Sequence, residues 1–239
     1  CNNHIYDFGT TGAEQTLRNL KDLNKEFLLT SKELSSEVFI KCFTSDEPSV
    51  MAKLNLGNIS LNNYYKKLPK DEKKGFNIAI CHWGDEYVSV PHSRIQNVAK
   101  KLSENFDLII GHHPHVIQGK EYINQSSVYY SIGNFYLDDF HYKNGAKHIF
   151  QEECYKGGIV IWESSTNTSE FIGINYSTKN KLISECPDAN KLFQKRSNIL
   201  TKDIKTRHIE WEESLFKSIK FKKNLLVNIR SAIHKFLKK

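Results

Sequence analysis

The chain has 239 residues, 39% hydrophobic and 26% charged, which suits one globular domain or a domain with an appendage, and no run of roughly 18 apolar residues exists to span a membrane. Its net charge of +7 is uneven: residues 217–239 hold eight Lys and Arg and no acid, which leaves about −1 elsewhere and confines electrostatic arguments about partners to that tail. The five cysteines, odd in number and without CxxC spacing, argue against a disulfide framework and a Cys-type zinc site, so reduced thiols and a cytoplasmic or membrane-associated location are expected.

In chain order, the opening Cys1-Asn2-Asn3-His4 lacks an initiator Met, and the expectation is that the true start, with any signal or anchor, lies upstream. Residues 12–24 place Ala13, Leu17, Leu20 and Leu23 at helical spacing. Short strands are expected at 27–29 and 38–40, a turn at 55–58 and a charged surface segment at 66–74. The apolar run 76–81 reads as a buried strand ending at His82-Trp83-Gly84-Asp85-Glu86. Pro91 introduces a helix with Ile95, Val98, Ala99 and Leu102 on one stripe. A second buried strand, 107–110, ends at Gly111-His112-His113-Pro114-His115, and a third, 128–132, ends at Gly133-Asn134. Strands at 158–162 and 171–176 follow, then helices over 188–203 and 211–237. The last helix has Leu215, Ile219, Leu226, Ile229, Ile233 and Leu237 as its expected apolar stripe. Strand–helix–strand order predicts an α/β fold with a sheet buried on both faces. The change in character near Lys179 divides the chain into an α/β domain over 1–178 and a basic helical extension over 179–239.

Metal-binding residue types follow the C-terminal ends of these strands, the edge over which loops converge in open α/β sheets. His113 and His115, one residue apart after a buried strand, suit a tight loop with both imidazoles turned to metal. His82 ends a neighbouring strand and is expected at the same edge. Glu86 has two open readings, a partner for a ligand histidine or substrate and an ordinary surface charge. In Asn2-Asn3-His4, an Asn carbonyl is an acceptable hard ligand and the adjacent His can give a proton to a leaving group.

Four motifs occur in order: Asn-Asn-His-x-x-Asp-Phe-Gly from Asn2, His-Trp-Gly-x-Glu-Tyr from His82, Gly-His-His-Pro-His-Val-x-Gln-Gly from Gly111, and Tyr-Ser-Ile-Gly-Asn-Phe from Tyr130. Together, over roughly residues 2–163, they resemble the CapA (poly-γ-glutamate capsule biosynthesis) family of bacteria, related to calcineurin-like metallophosphoesterases. The resemblance implies a metallophosphoesterase-like α/β sandwich, incomplete at its N-terminus, with the C-terminal helices as an extension. It implies two divalent metal ions (Mn, Fe or Zn), with Asn3, His82, His113 and His115 as ligands and His4 as the leaving-group acid. Asp7, Glu86, His112 and Asn134 fall into supporting or substrate-contacting positions. The Asp-bearing motifs that supply the superfamily's bridging carboxylate would precede Cys1. The activity implied is metal-assisted hydrolysis of a phosphoester, or of an amide in a capsule polymer, within capsule production. The alternative is a non-catalytic assembly or export factor for poly-γ-glutamate or another capsule polymer.

For the basic tail, three readings stay open: a helix docked on the body, an amphipathic helix on an anionic membrane surface (211–239), and nucleic-acid binding. The last lacks any aromatic-interleaved reading motif.

Overall fold

The computed structural model describes residues 11–12, 14–15, 18–19, 31–35, 38–44, 59–60, 75–141, 145, 147–163 and 165–237. Asn3, His4 and Asp7, the strand expected at 27–29, the turn at 55–58 and the segment 66–74 lie outside them.

A seven-stranded sheet has the order β1 (Ser31–Ser35), β2 (Val38–Thr44), β4 (Phe76–His82), β5 (Leu108–His112), β7 (Ser126–Tyr129), β6 (Lys120–Ile123), with β3 (Ile59–Ser60) beside β2. β2, β4 and β5 are mutually parallel, and the register sets His82 opposite His112. β4 is a strand because its apolar run fits a central position, where Ala79 and Cys81 are wholly buried. Asp107 fixes the start of β5 against β4. Its carboxylate accepts from Asn77 N at 2.8 Å, and its own N–H donates to Asn77 O at 2.8 Å. Helix α1 (Ser93–Leu102) joins these two strands and buries Ile95, Ala99 and Leu102, at steps of four and three residues. Lys100 and Lys101 in its last turn suit the negative end of the helix dipole. Between β6 and β7, Asn124 (φ 47) and Gln125 (φ 70) take the left-handed conformations of a type I′ hairpin turn.

The chain groups into two compact units interleaved in sequence. One comprises Cys1–Trp83, Asn97–His112 and Tyr122–Val128; the other comprises Gly84–Gln96, His113–Glu121 and Tyr129–Lys239.

In the second unit, β10 (Lys156–Glu163), β11 (Thr168–Ser177) and β12 (Leu182–Glu185) form an antiparallel sheet, and β8 (Phe140–His141) pairs with β9 (Lys147–His148). β10 is not buried on both faces, since Ile159 is 42% and Ile161 51% exposed. Helix α2 (Pro187–Leu200) starts with Pro at its first turn and seats on β11. Phe171 stacks on Phe193 at 4.0 Å between centroids, and Asn190 Oδ1 accepts from Gly173 N at 2.7 Å. Buried Arg196 donates to Ile117 O at 2.6 Å and to Glu153.

Helix α3 (Ile204–Leu237) begins well before Trp211, because Asp203 caps it: its Oδ1 accepts from Thr206 N at 3.0 Å. Its inner face differs from the expected apolar stripe. Ile219 is 45% exposed, while Ser214 and Ser218 are buried. Beside the Tyr87 ring, the loop 84–90 offers backbone polar groups to this helix, and hydroxyls satisfy them. Ser89 N donates to Ser214 Oγ at 2.7 Å, and Ser218 Oγ donates to Glu86 O at 2.8 Å. Two turns before Ser214, Arg207 bridges Gln96 at 2.8 Å and Glu121 at 3.0 Å. The first half of the basic helix is thus docked on its own unit. Among the described residues, no helix is long and apolar enough to cross a membrane.

Candidate metal centre

Two loops of the second unit meet at the site. Tyr87 N donates to Pro114 O at 2.8 Å, and Gly84, at φ 87, admits Pro114 within 3.4 Å of where a Cβ would stand. Three non-glycine residues there hold positive φ: Tyr87 at 62, His113 at 99 and His115 at 59. Such conformations are costly for L-residues and persist only where the surroundings enforce them, often at functional sites.

The result is one ligand atom each from Glu86, His113 and His115, all within 4.8 Å of one another. The two imidazole centroids are 6.1 Å apart. Two imidazoles and one carboxylate form a donor set suited to a divalent transition metal, and the spacing lets one ion reach all three.

Asn134 decides which nitrogen His115 offers. Its Nδ2 donates to His115 O at 3.0 Å and to Cys154 O at 2.9 Å. Both amide hydrogens are thereby used, so Oδ1 must be the group facing His115 Nδ1 at 3.0 Å. An oxygen accepts there only if Nδ1 bears the proton, and this leaves the Nε2 lone pair for metal, the usual outer-sphere arrangement. Asn134 can come this close because two glycines flank the crossing. A Cβ on Gly157 would lie 2.1 Å from Asn134 O, and one on Gly133 (φ 72) would lie 2.5 Å from Lys156 O.

Glu86 is held from helix α3. Lys222 Nζ lies 2.8 Å from its Oε2 and 5.5 Å from the centroid of the Tyr87 ring, which Phe221 meets edge-on at 5.3 Å. Burial pushes the Glu86 carboxyl up, but Lys222, with His113 and His115 adding to it, holds the group below the ordinary glutamate value.

Of the sequence candidates, His113, His115, Glu86 and Asn134 come together here. His82 is buried at the end of β4, and His112 lies opposite it in β5 with its carbonyl accepting from Trp83 N at 3.0 Å; both belong to the other compact unit. Lys222 and Ser218 are not singled out by the sequence, and Tyr87 enters only as the last residue of the His-Trp-Gly-x-Glu-Tyr motif. The only signal was the spacing of Ser214, Ser218 and Lys222 along one helical face.

Comparison with known proteins agrees with the motifs. Residues 33–139 match the family model "Bacterial capsule synthesis protein PGA_cap". The chain is 26% identical over 185 residues to "Capsule biosynthesis protein CapA" of Bacillus anthracis, covering 67% of this chain and 44% of that protein. It is 28% identical over 182 residues to "PGA biosynthesis protein CapA" of Bacillus subtilis (strain 168), covering 68% of this chain and 48% of that protein. The chain therefore spans less than half the length of these curated relatives. The four motifs in family order, the match over residues 33–139 and the two CapA relatives make this chain similar to the bacterial capsule synthesis proteins.

Proposed function

We propose that this chain is the metal-bearing part of a capsule-biosynthesis protein acting as a metal-dependent, phosphoesterase-like hydrolase. The supporting observation is the convergence of Glu86, His113 and His115 within 4.8 Å on a strained, hydrogen-bonded loop pair. A divalent ion there supplies Lewis acidity, drawing electron density from a phosphoryl or carbonyl oxygen and acidifying water. The protein's share is positional. Asn134 holds the His115 ring in the tautomer that presents Nε2, the backbone at His113 and His115 fixes where the rings start, and Glu86 brings the negative charge that two neutral imidazoles lack. We assign Asn3 and His82 to a second ion, Mn, Fe or Zn serving in both, and His4 to protonation of the leaving group. The substrate in this reading is a phosphoester or the capsule polymer itself; a polymer amide would need the same electrophile activation.

The test is metal analysis of the full-length protein, with turnover of a chromogenic phosphodiester, before and after His113→Ala. The expected outcome is bound metal and hydrolysis in the wild type, with both lost in the variant and the fold kept by circular dichroism. A variant that retains its metal sinks the cluster. A variant that loses metal yet leaves polymer output intact makes the protein an assembly or export factor instead.

A further inference from the structure

We propose that Lys222 is a tethered cation that occupies Glu86 until a metal ion takes it, so that helix α3 senses the loading of the metal cluster. The proposal rests on the metal reading above. Lys222 Nζ lies 2.8 Å from Glu86 Oε2, and Glu86 is one of the three residues whose ligand atoms lie within 4.8 Å. An ammonium on one carboxylate oxygen and a divalent ion on the same small group repel each other, and the doubly charged ion in direct contact wins. Lys222 is free to yield, since its side chain is 44% exposed on a flexible four-carbon stem. A second seat is already in place, because the same Nζ lies 5.5 Å from the centroid of the Tyr87 ring. The exchange moves an ammonium and transfers no proton.

The helix is anchored independently on the N-terminal side of Lys222. Ser214 bonds to Ser89 and Ser218 to Glu86 O, both before the turn that carries Lys222. Release of Lys222 therefore loosens the turn around 219–225 without undocking residues 207–218. Before metal arrives, the same contact keeps Glu86 from standing as an uncompensated, half-buried carboxylate, and the cost is a weaker first encounter with metal.

The test compares the full-length wild type with Lys222→Met and Lys222→Gln by calorimetric titration with Zn2+ alone, and by amide exchange over 219–225. Both variants should bind Zn2+ about two- to fivefold more tightly, the worth of a partly exposed ion pair. Exchange over 219–225 should speed up on Zn2+ addition in the wild type and show no such response in either variant. Equal or weaker binding by both variants overturns the proposal. His115→Ala separates the two claims: if it abolishes Zn2+ binding while Lys222→Met matches wild type, only the role of Lys222 falls. If the wild type takes up no Zn2+, the metal reading falls and the tether with it.

Discussion

Asn134 provides a sharp test of the site, because its three hydrogen bonds do two separable jobs. Asn134→Ala removes the acceptor that fixes the His115 tautomer and the two donors to His115 O and Cys154 O. Loss of an outer-sphere partner of this kind weakens metal binding by about 10- to 100-fold. Two backbone carbonyls left without donors cost about 1–3 kcal/mol together, at roughly 0.5–1.5 kcal/mol per neutral bond. At roughly 2–4 °C per kcal/mol for a chain of this size, the melting temperature should fall by several degrees. Asn134→Asp separates the effects. The carboxylate still accepts from His115 Nδ1, so metal affinity is retained, but its second oxygen faces the two carbonyls without a proton to donate, so stability falls at least as far as in the Ala variant. Calorimetric metal titration and thermal denaturation of the three proteins report the two quantities. If folded Asn134→Ala binds metal as tightly as wild type, the tautomer argument is wrong.

Two further outcomes follow from the same packing. Gly157→Ala places a methyl 2.1 Å from a backbone oxygen of Asn134, an overlap that no side-chain rotation relieves, so a loss of about 2 kcal/mol or more in urea unfolding is expected. Asp139 gives a pH dependence: burial raises its carboxyl, but hydrogen bonds from Tyr155 and Lys147 and the Phe150 N–H outweigh that and hold it below the ordinary aspartate value. A depressed folded value means that Asp139 stabilises the protein above the unfolded value of 3.8 and that this contribution is lost as pH falls through the lower, folded value. The stability gap between wild type and Asp139→Asn should thus be constant near neutrality and close only in strong acid, with urea midpoints across pH as the measurement. A gap that closes by pH 6 refutes the assignment.

The elements nearest the site were legible because their signals are local. The apolar runs at 76–81 and 107–110 emerged as β4 and β5 to within two residues at each end, since a central parallel strand is apolar on both faces and its sequence says so. The hairpin at 120–129 was read only in part, as a strand over 128–132. Its Asn124-Gln125 turn lacks the glycine that usually marks a type I′ turn. Asp203, three residues before Thr206, is a capping signal that would have placed the start of α3, but the more apolar pattern after Trp211 drew the boundary later.

For the centre itself, the sequence alone determined the residue types and their chain positions: two histidines flanking Pro114 after a strand, an acid four residues beyond another, and an Asn after Gly133. Those follow from short-range periodicity and from motifs a few residues long. Only the tertiary structure decided that Asn134 Oδ1 accepts from His115 Nδ1, that a Glu86 oxygen lies within 4.8 Å of ligand atoms of His113 and His115, and that Lys222 pairs with Glu86. Ser218 and Glu86, which help bind α3 to that loop, stand 132 residues apart, and no local pattern encodes a contact at that range. The inner face of α3 misled for the same reason. A helix hides the side its surroundings can satisfy, and here they present backbone polar groups, so serines face inward while Ile219 meets water.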